Sequence, residues 1–390
     1  MTQAVLLGDI ADIQTGPFGS QLHQEDYVDK GTPIITVEHL GGDRITTQNL
    51  PRVSDDDKQR LSKYWMREGD TIFSRVGSVD RASYVHQEED GWLFSGRCLR
   101  VRPDAEKVTP RYLSFVLRSP QFTSYIKSIA VGATMPSINT KLLSTAPVAL
   151  IPRDAQEKVV ATLDAIEQKI ELNRQMHETL EQIGQALFRH YFIDNPEVEK
   201  WESGILSDII DINPRESIKK GSVVTYLEMK NMPESGMSIK GAEARAFTSG
   251  MKFRNGDTLL ARITPCLENG KTAFVDFLGE DEVGFGSTEY IVMRPKYTEL
   301  TEYVYYLARS DAFRAHAIQS MIGTSGRQRV QNDLIVAYPV TKPASDLLAE
   351  FHKKMEVSFA QIRNNAQQIQ TLTTLRDILL PRLISGKVKV

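Results

Sequence analysis

The chain has 390 residues, 41% hydrophobic and 25% charged, the balance of a soluble globular protein with room for two or three domains. A formal net charge of −3 does not advertise the broad basic face with which a protein grips DNA unaided, so any basic surface must be local. No apolar run is long enough to cross a bilayer and no basic-then-apolar leader follows Met1, which places the chain in the cytoplasm and off the membrane; Cys98 and Cys266, without CxxC spacing, suggest neither a disulfide framework nor a zinc site.

Taken in order, a first domain is expected over residues 1–153. It opens with Leu6 to Ile13 and the loop Thr15-Gly16-Pro17-Phe18-Gly19-Ser20-Gln21-Leu22. Short β-type runs follow at Pro33 to Val37, Asp70 to Arg75 and Leu99 to Val101, each bounded by Gly, Pro, Asp or Ser. Arg111 to Ile129 reads as one helix with Tyr112, Phe115, Val116, Phe122 and Ile126 on its apolar face.

A spacer helix is expected next, within residues 154–194. From Asp154 to Tyr191, apolar or small residues recur every three or four positions: Val159, Leu163, Ile166, Ile170, Leu180, Gly184, Leu187 and Tyr191. That is a coiled-coil seam, about 57 Å long at the rise of an α-helix. Asn173 and His177 sit in its middle, where a buried amide costs stability but fixes register and partner.

The pattern then returns. Leu206-Ser207-Asp208-Ile209 echoes Leu7-Gly8-Asp9-Ile10, Gly256-Asp257-Thr258 echoes Gly69-Asp70-Thr71, Arg294-Pro295 echoes Arg102-Pro103, and Tyr303 to Ser320 echoes Arg111 to Ile129. A second domain over 195–343 and a second helix with tail over 344–390 follow. The second seam holds Met355, Ile362, Asn365, Ile369 and Leu372, with Asn365 standing 192 positions after Asn173. The two amides are expected to face each other across an antiparallel pair. The fold class is therefore α+β: two similar globular α/β domains separated by two long antiparallel coiled-coil helices, a pseudo-twofold internal repeat. Gln14 to Tyr27 has no twin in Asn213 to Tyr226, and Gly77 to Gly91 differs from Thr264 to Gly284. Equal frames with unlike loops imply one task performed on two unlike targets.

Tests for catalysis fail. No GxxxxGK[ST] phosphate loop is present, and Gly323-Thr324-Ser325-Gly326-Arg327 lacks its lysine. Asn195-Pro196-Glu197 and Asn213-Pro214-Arg215 lack the second Pro and the ring that hold a flipped adenine, and the seven histidines show no metal-ligand spacing. No catalysis, no metal and no cofactor are expected in this chain. Recognition signals lie in loops that put donors beside glycines. In the first domain they are Ser20, Gln21, Arg75, Ser78, Arg81, Ser137, Asn139 and Lys141. In the second they are Arg215, Lys219, Lys220, Arg262, Lys271, Thr324, Ser325, Arg327, Gln328, Arg329 and Asn332. Arg can read guanine through a two-pronged bond, and Asn or Gln adenine.

The order domain, helix, domain, helix resembles the DNA-specificity subunit of type I restriction-modification systems. The likeness is carried by Gly256-Asp257-Thr258-Leu259-Leu260-Ala261-Arg262-Ile263, by Ala186-Leu187-Phe188-Arg189-His190-Tyr191-Phe192-Ile193-Asp194 and by Leu379-Leu380-Pro381-Arg382-Leu383-Ile384-Ser385-Gly386-Lys387. The resemblance implies two target-recognition domains on double-stranded DNA, each reading half of a split target, with the helix pair setting the gap in a phage-defence complex. It also implies two methyltransferase subunits carrying S-adenosylmethionine and an ATP-dependent restriction subunit joined through them. The alternative is a protein-interaction scaffold, two binding modules on a coiled-coil strut without nucleic-acid contact. Salt dependence of binding separates the two.

Overall fold

The structure, a computed structural model, describes residues 3–17, 21–324 and 326–385, with Gln24 described in its backbone alone. The chain forms two compact units, residues 1–170 with 371–390 and residues 171–370.

In the first unit β1 (Gln3–Leu6), β2 (Ala11–Thr15), β3 (Thr71–Ser74), β4 (Ala82–Tyr84) and β5 (Cys98–Pro103) precede α1 (Pro110–Leu117), α2 (Pro120–Ile129), β6 (Pro147–Leu150) and the start of a long helix, α3 (Arg153–Phe192). An antiparallel sheet has the order β2-β5-β3-β4, and β1 closes antiparallel on β6. A smaller sheet carries one parallel pair, with Ile34 beside Leu93.

The second unit repeats this. Its elements are β7 (Ser203–Ile205), β8 (Ile210–Ile212), β9 (Thr258–Ala261), β10 (Thr272–Phe274), β11 (Tyr290–Pro295), α4 (Thr301–Arg309), α5 (Asp311–Gln319), β12 (Pro339–Thr341) and the start of a second long helix, α6 (Ser345–Ile384), whose residues from Thr371 on belong to the first unit. The sheet order is β8-β11-β9-β10, β7 pairs with β12, and a smaller sheet again has one parallel pair, Tyr226 beside Phe285.

The sequence echoes are structural locks. Asp70, 1% exposed at the head of β3, takes both Nε and Nη2 of Arg102 on β5 at 2.8 and 2.7 Å. Asp257 takes the same two atoms of Arg294 on β11, both at 2.7 Å. A two-pronged guanidinium bond to a buried carboxylate fixes neighbouring strands and tolerates no Lys in place of Arg. The segment read as one helix at Arg111 to Ile129 is two. Ser119 accepts the amide of Phe122 and Pro120 begins the next turn, so a cap and a proline restart the helix, as Ser310 does between α4 and α5.

Within each unit the two long helices run antiparallel. In the second, the Tyr191 hydroxyl donates to Glu350 at 2.7 Å and Asn173 Nδ2 donates to Gln368 Oε1 at 3.1 Å; in the first, Arg376 Nη1 donates to Glu167 at 3.1 Å. The expected pairing of Asn173 with Asn365 is not made: Asn365 Oδ1 accepts from Gln361, four residues back on its own helix. Gln368, not Asn365, is the partner of Asn173 across the pair.

The buried stripe of α3 runs through Gln156, Val159, Leu163, Glu167, Ile170, Asn173, Glu181, Gly184, Phe188 and Phe192. This is the 3.6-residue period of a straight helix packed on a domain, and it drifts off a 3.5-residue seam by about one residue over the helix. Of the seam residues, Leu163, Ile170, Asn173, Met355, Ile362 and Asn365 are buried, whereas Ile166, Leu180, Ile369 and Leu372 are half-buried beside the stripe. Glu167 and Glu181 take the places that Ile166 and Leu180 were expected to fill.

The helices are fastened to the two domains by different chemistry. In the first unit Asp43 holds Arg111 (2.6 and 3.0 Å), Arg118 (2.6 Å) and His86 (3.2 Å), while Arg111 reaches Asp164 on α3 (2.5 Å) and Arg118 stands 3.6 Å from Glu167. In the second, Phe188, Phe192, Tyr303, Tyr306, Phe351 and Phe359 interlock with ring centroids 5.0 to 6.3 Å apart. Gly184 admits Tyr306, whose hydroxyl would lie 1.8 Å from a Cβ there.

Candidate nucleic-acid interface

In each unit two loops join into one edge. The β3–β4 connection of the first unit, residues 75–81, lies along the turn at 131–138. Val131 and Ser137 exchange backbone hydrogen bonds at 2.9 and 2.8 Å, the Gly77 amide donates to the Pro136 carbonyl at 2.8 Å, and the Ile138 amide to the Arg75 carbonyl at 2.9 Å. In the second unit the β9–β10 connection, residues 262–271, lies along a hairpin in which Ile322 pairs with Arg329. Thr264 donates to the Gln328 carbonyl at 3.1 Å and Val330 to the Arg262 carbonyl at 2.9 Å. The turns are tight because Gly132 and Gly323 have positive φ, and a Cβ at either would strike the carbonyl of Met135 at 2.7 Å or of Arg327 at 2.8 Å.

These edges gather most of the expected residues. Ser78 and Arg81 are exposed; Arg75 is half-buried, its Nη1 donating to the Gly96 carbonyl at 3.0 Å; Ser137 lines the hairpin with its hydroxyl on Val131 O at 3.2 Å. Asn139 Oδ1 accepts the Leu142 amide at 2.8 Å and so caps a short helix, Thr140–Ser144, on which Lys141 is exposed. On the second edge Thr324 and Arg327 are exposed and Gln328 is half-buried. Arg262 is half-buried and donates to the Val330 carbonyl at 3.0 Å. Arg329 is engaged by Glu289, with Nε and Nη2 at 2.8 to 3.0 Å, and this bond, ahead of the charge itself, holds the Glu289 carboxyl below its usual range. A base-reading role for Arg329 therefore requires it to exchange one carboxylate for another acceptor.

Other expected residues stand elsewhere or do structural work. Lys271, at the far end of its connection, donates to the Met229 carbonyl at 3.1 Å. Asn332 begins a short helix, Asn332–Val336, half-buried and with its Oδ1 unpartnered. Arg215, Lys219 and Lys220 are exposed on the stretch between β8 and residue 223. Gln21 is bonded through its side chain to the Tyr64 hydroxyl at 2.5 Å and through its carbonyl to Arg60 at 2.7 Å. Ser20 and Ser325 lie outside the described residues.

Three residues on these edges escaped the sequence reading. Val131 and Met135 are each 63% exposed and Ile322 is 64% exposed. Isolated aliphatics in glycine-rich turns carry no helix or strand period, so only the internal repeat, aligning Val131 with Ile322, could have marked them.

No helix among the described residues is long and apolar enough to cross a membrane. Residues 2–182 match the type I restriction modification DNA specificity domain. The chain is 22% identical over 408 residues to the type I restriction enzyme HindI specificity subunit of Haemophilus influenzae, covering 84% of this chain and 88% of that protein. It is 23% identical over 312 residues to the MjaIX specificity subunit of Methanocaldococcus jannaschii, covering 73% and 70%. Among solved structures, the S subunit of a type I restriction-modification system from M. genitalium shares the fold with a TM-score of 0.58 at 14% identity, over 98% of this chain and 96% of that one.

Proposed function

We infer that this chain, similar to the specificity subunits of type I restriction-modification systems, is the non-catalytic DNA-reading member of such a complex. Each domain reads one half of a split target in double-stranded DNA, and the antiparallel helices set the length of the unread gap. One observation carries this reading: two edges framed by corresponding hydrogen bonds, with an arginine at the same place in each (Arg75 and Arg262), present unlike side chains on their hairpins, Met135, Pro136 and Ser137 on one and Arg327, Gln328 and Arg329 on the other. A frame kept while its readers change suits two different base sequences better than one shared protein partner.

The chemistry of modification belongs to partners. Two methyltransferase subunits dock on the helices and domain flanks and bring S-adenosylmethionine; an ATP-dependent restriction subunit joins through them. The net charge of −3 fits this division, because much of the phosphate neutralisation then comes from the methyltransferases. Gel shifts on duplex DNA test it. The isolated chain binds poorly at physiological salt and gains affinity with the methyltransferase added, with a steep fall of log K against log salt. Equal affinity with and without that subunit, or a complex whose affinity ignores salt, refutes the reading in favour of a scaffold.

A further inference from the structure

The two hairpins share a set of corresponding bonds, and the correspondence equates individual residues. Val131 and Ile322 open them; Gly132 and Gly323 follow with positive φ; the Pro136 and Gln328 carbonyls accept the amides of Gly77 and Thr264; Ile138 and Val330 donate to the carbonyls of Arg75 and Arg262. The carbonyl against which each glycine closes belongs to Met135 in the first hairpin and to Arg327 in the second. Met135 and Arg327 therefore occupy the same place on the same frame, although the second turn is one residue longer.

Two features of that place call for a cause. Single exposed aliphatics are ordinary on a protein surface, but Val131 and Ile322 stand out to the same degree, 63% and 64%, at equivalent points of two copies whose turns differ after the shared glycine. Beside them, one hairpin offers a thioether, 63% exposed, and the other an exposed guanidinium, chemical opposites on one scaffold. On base edges the one apolar feature in the major groove is the C5-methyl of thymine, and the acceptor pair that matches a guanidinium is O6 and N7 of guanine. Arg327 fits that task better than Arg329, whose Nε and Nη2 are held by Glu289.

Resting on the reading of the chain as a DNA-recognition subunit, we propose that this hairpin position determines one base of each half-site: Met135 meets a thymine methyl, Arg327 meets a guanine, and Val131 and Ile322 seat each hairpin against the neighbouring nucleotide. The position is the same in both units, so specificity at it can be exchanged by a single residue.

The test uses the chain co-expressed with its methyltransferase and reads the methylated motif by methylome sequencing. Met135→Arg is expected to change one base pair of one half-site from T·A toward G·C, and Arg327→Met to remove the requirement for a guanine in the other half-site. In both cases the remaining bases and the gap stay the same. A companion measurement reads binding directly. In duplexes carrying the wild-type motif, replacing that thymine by deoxyuracil weakens binding by the wild-type complex about fourfold, the worth of one methyl group, and Met135→Ala no longer distinguishes the two. Unchanged motifs with undiminished methylation in both variants, or equal wild-type binding to thymine and deoxyuracil at every thymine of that half-site, overturn the proposal. So does a Val131→Ser, Ile322→Ser chain that loses the methyltransferase on co-purification while its motif is unchanged, since the aliphatics would then be a protein contact. A wild-type complex that methylates no split motif refutes the subunit reading itself, and the hairpin assignment with it.

Discussion

Replacing Asp43 by Asn would remove the charge around which the first unit is fastened. The Asp43 side chain is 9% exposed and takes bonds at 2.6 and 3.0 Å from Arg111, at 2.6 Å from Arg118 and at 3.2 Å from His86, with the two arginine side chains 11% and 12% exposed. Loss of one partner of a buried ion pair costs about 3–5 kcal/mol, because the remaining charge is left without compensation. Arg111 keeps Asp164 and Arg118 keeps Glu167, so the lower end applies, about 3 kcal/mol. For a unit of this size that lowers the melting midpoint by roughly 10 °C. Burial alone would raise the Asp43 pKa, but the His86 bond, the Arg118 charge and the Arg111 bonds outweigh it and hold the carboxyl far below its usual range. Its contribution is therefore complete above the unfolded value near pH 4 and is lost as pH falls toward the folded value. Scanning calorimetry of wild type and Asp43→Asn between pH 3 and 8 reads both effects. A midpoint at neutral pH within about 2 °C of wild type would refute the claim that this cluster anchors the helices.

Gly184→Ala should destabilise the second unit by about 1–3 kcal/mol, since the new Cβ lands 1.8 Å from the Tyr306 hydroxyl; urea unfolding measures it, and an unchanged midpoint argues against the close approach. Asp276 is pushed up to about 6 by burial, with the Arg363 charge opposing, so its folded pKa lies above its unfolded one and the second unit gains stability as pH falls from about 6 to 4. Asp276→Asn should flatten that part of the stability profile in calorimetry; a profile that keeps its slope removes Asp276 as the cause. Deleting about one turn, roughly four residues, from each long helix should alter the gap between half-sites and leave both half-sites intact, as read by methylation sequencing. Half-sites that change while the gap does not would contradict the spacer role.

The duplication was legible because its clearest echoes, Gly-Asp-Thr and Arg-Pro, are the two halves of a buried ion pair present in both units, Asp70 with Arg102 and Asp257 with Arg294. Such a pair constrains residue identity, so it survives divergence that erases strand patterns. The helix break at Ser119-Pro120 was also written in the chain, as a cap and a proline, but apolar spacing on both sides masked it. Burial of Glu167 was not legible: the carboxylate goes inside because Arg376 and Arg118, both distant in sequence, stand 3.1 and 3.6 Å from it. The same holds for the joined edges. Arg75 and Ser137 were each visible as loop donors, but only the fold brings residues 75–77 against 136–138.

The central claim, two unlike readers held on equal frames, is tested most directly by methylome sequencing of a host that expresses this chain with its methyltransferase. The account predicts a split motif, two different short half-sites separated by a fixed number of unspecified bases. One uninterrupted motif, or methylation without a motif, would contradict it.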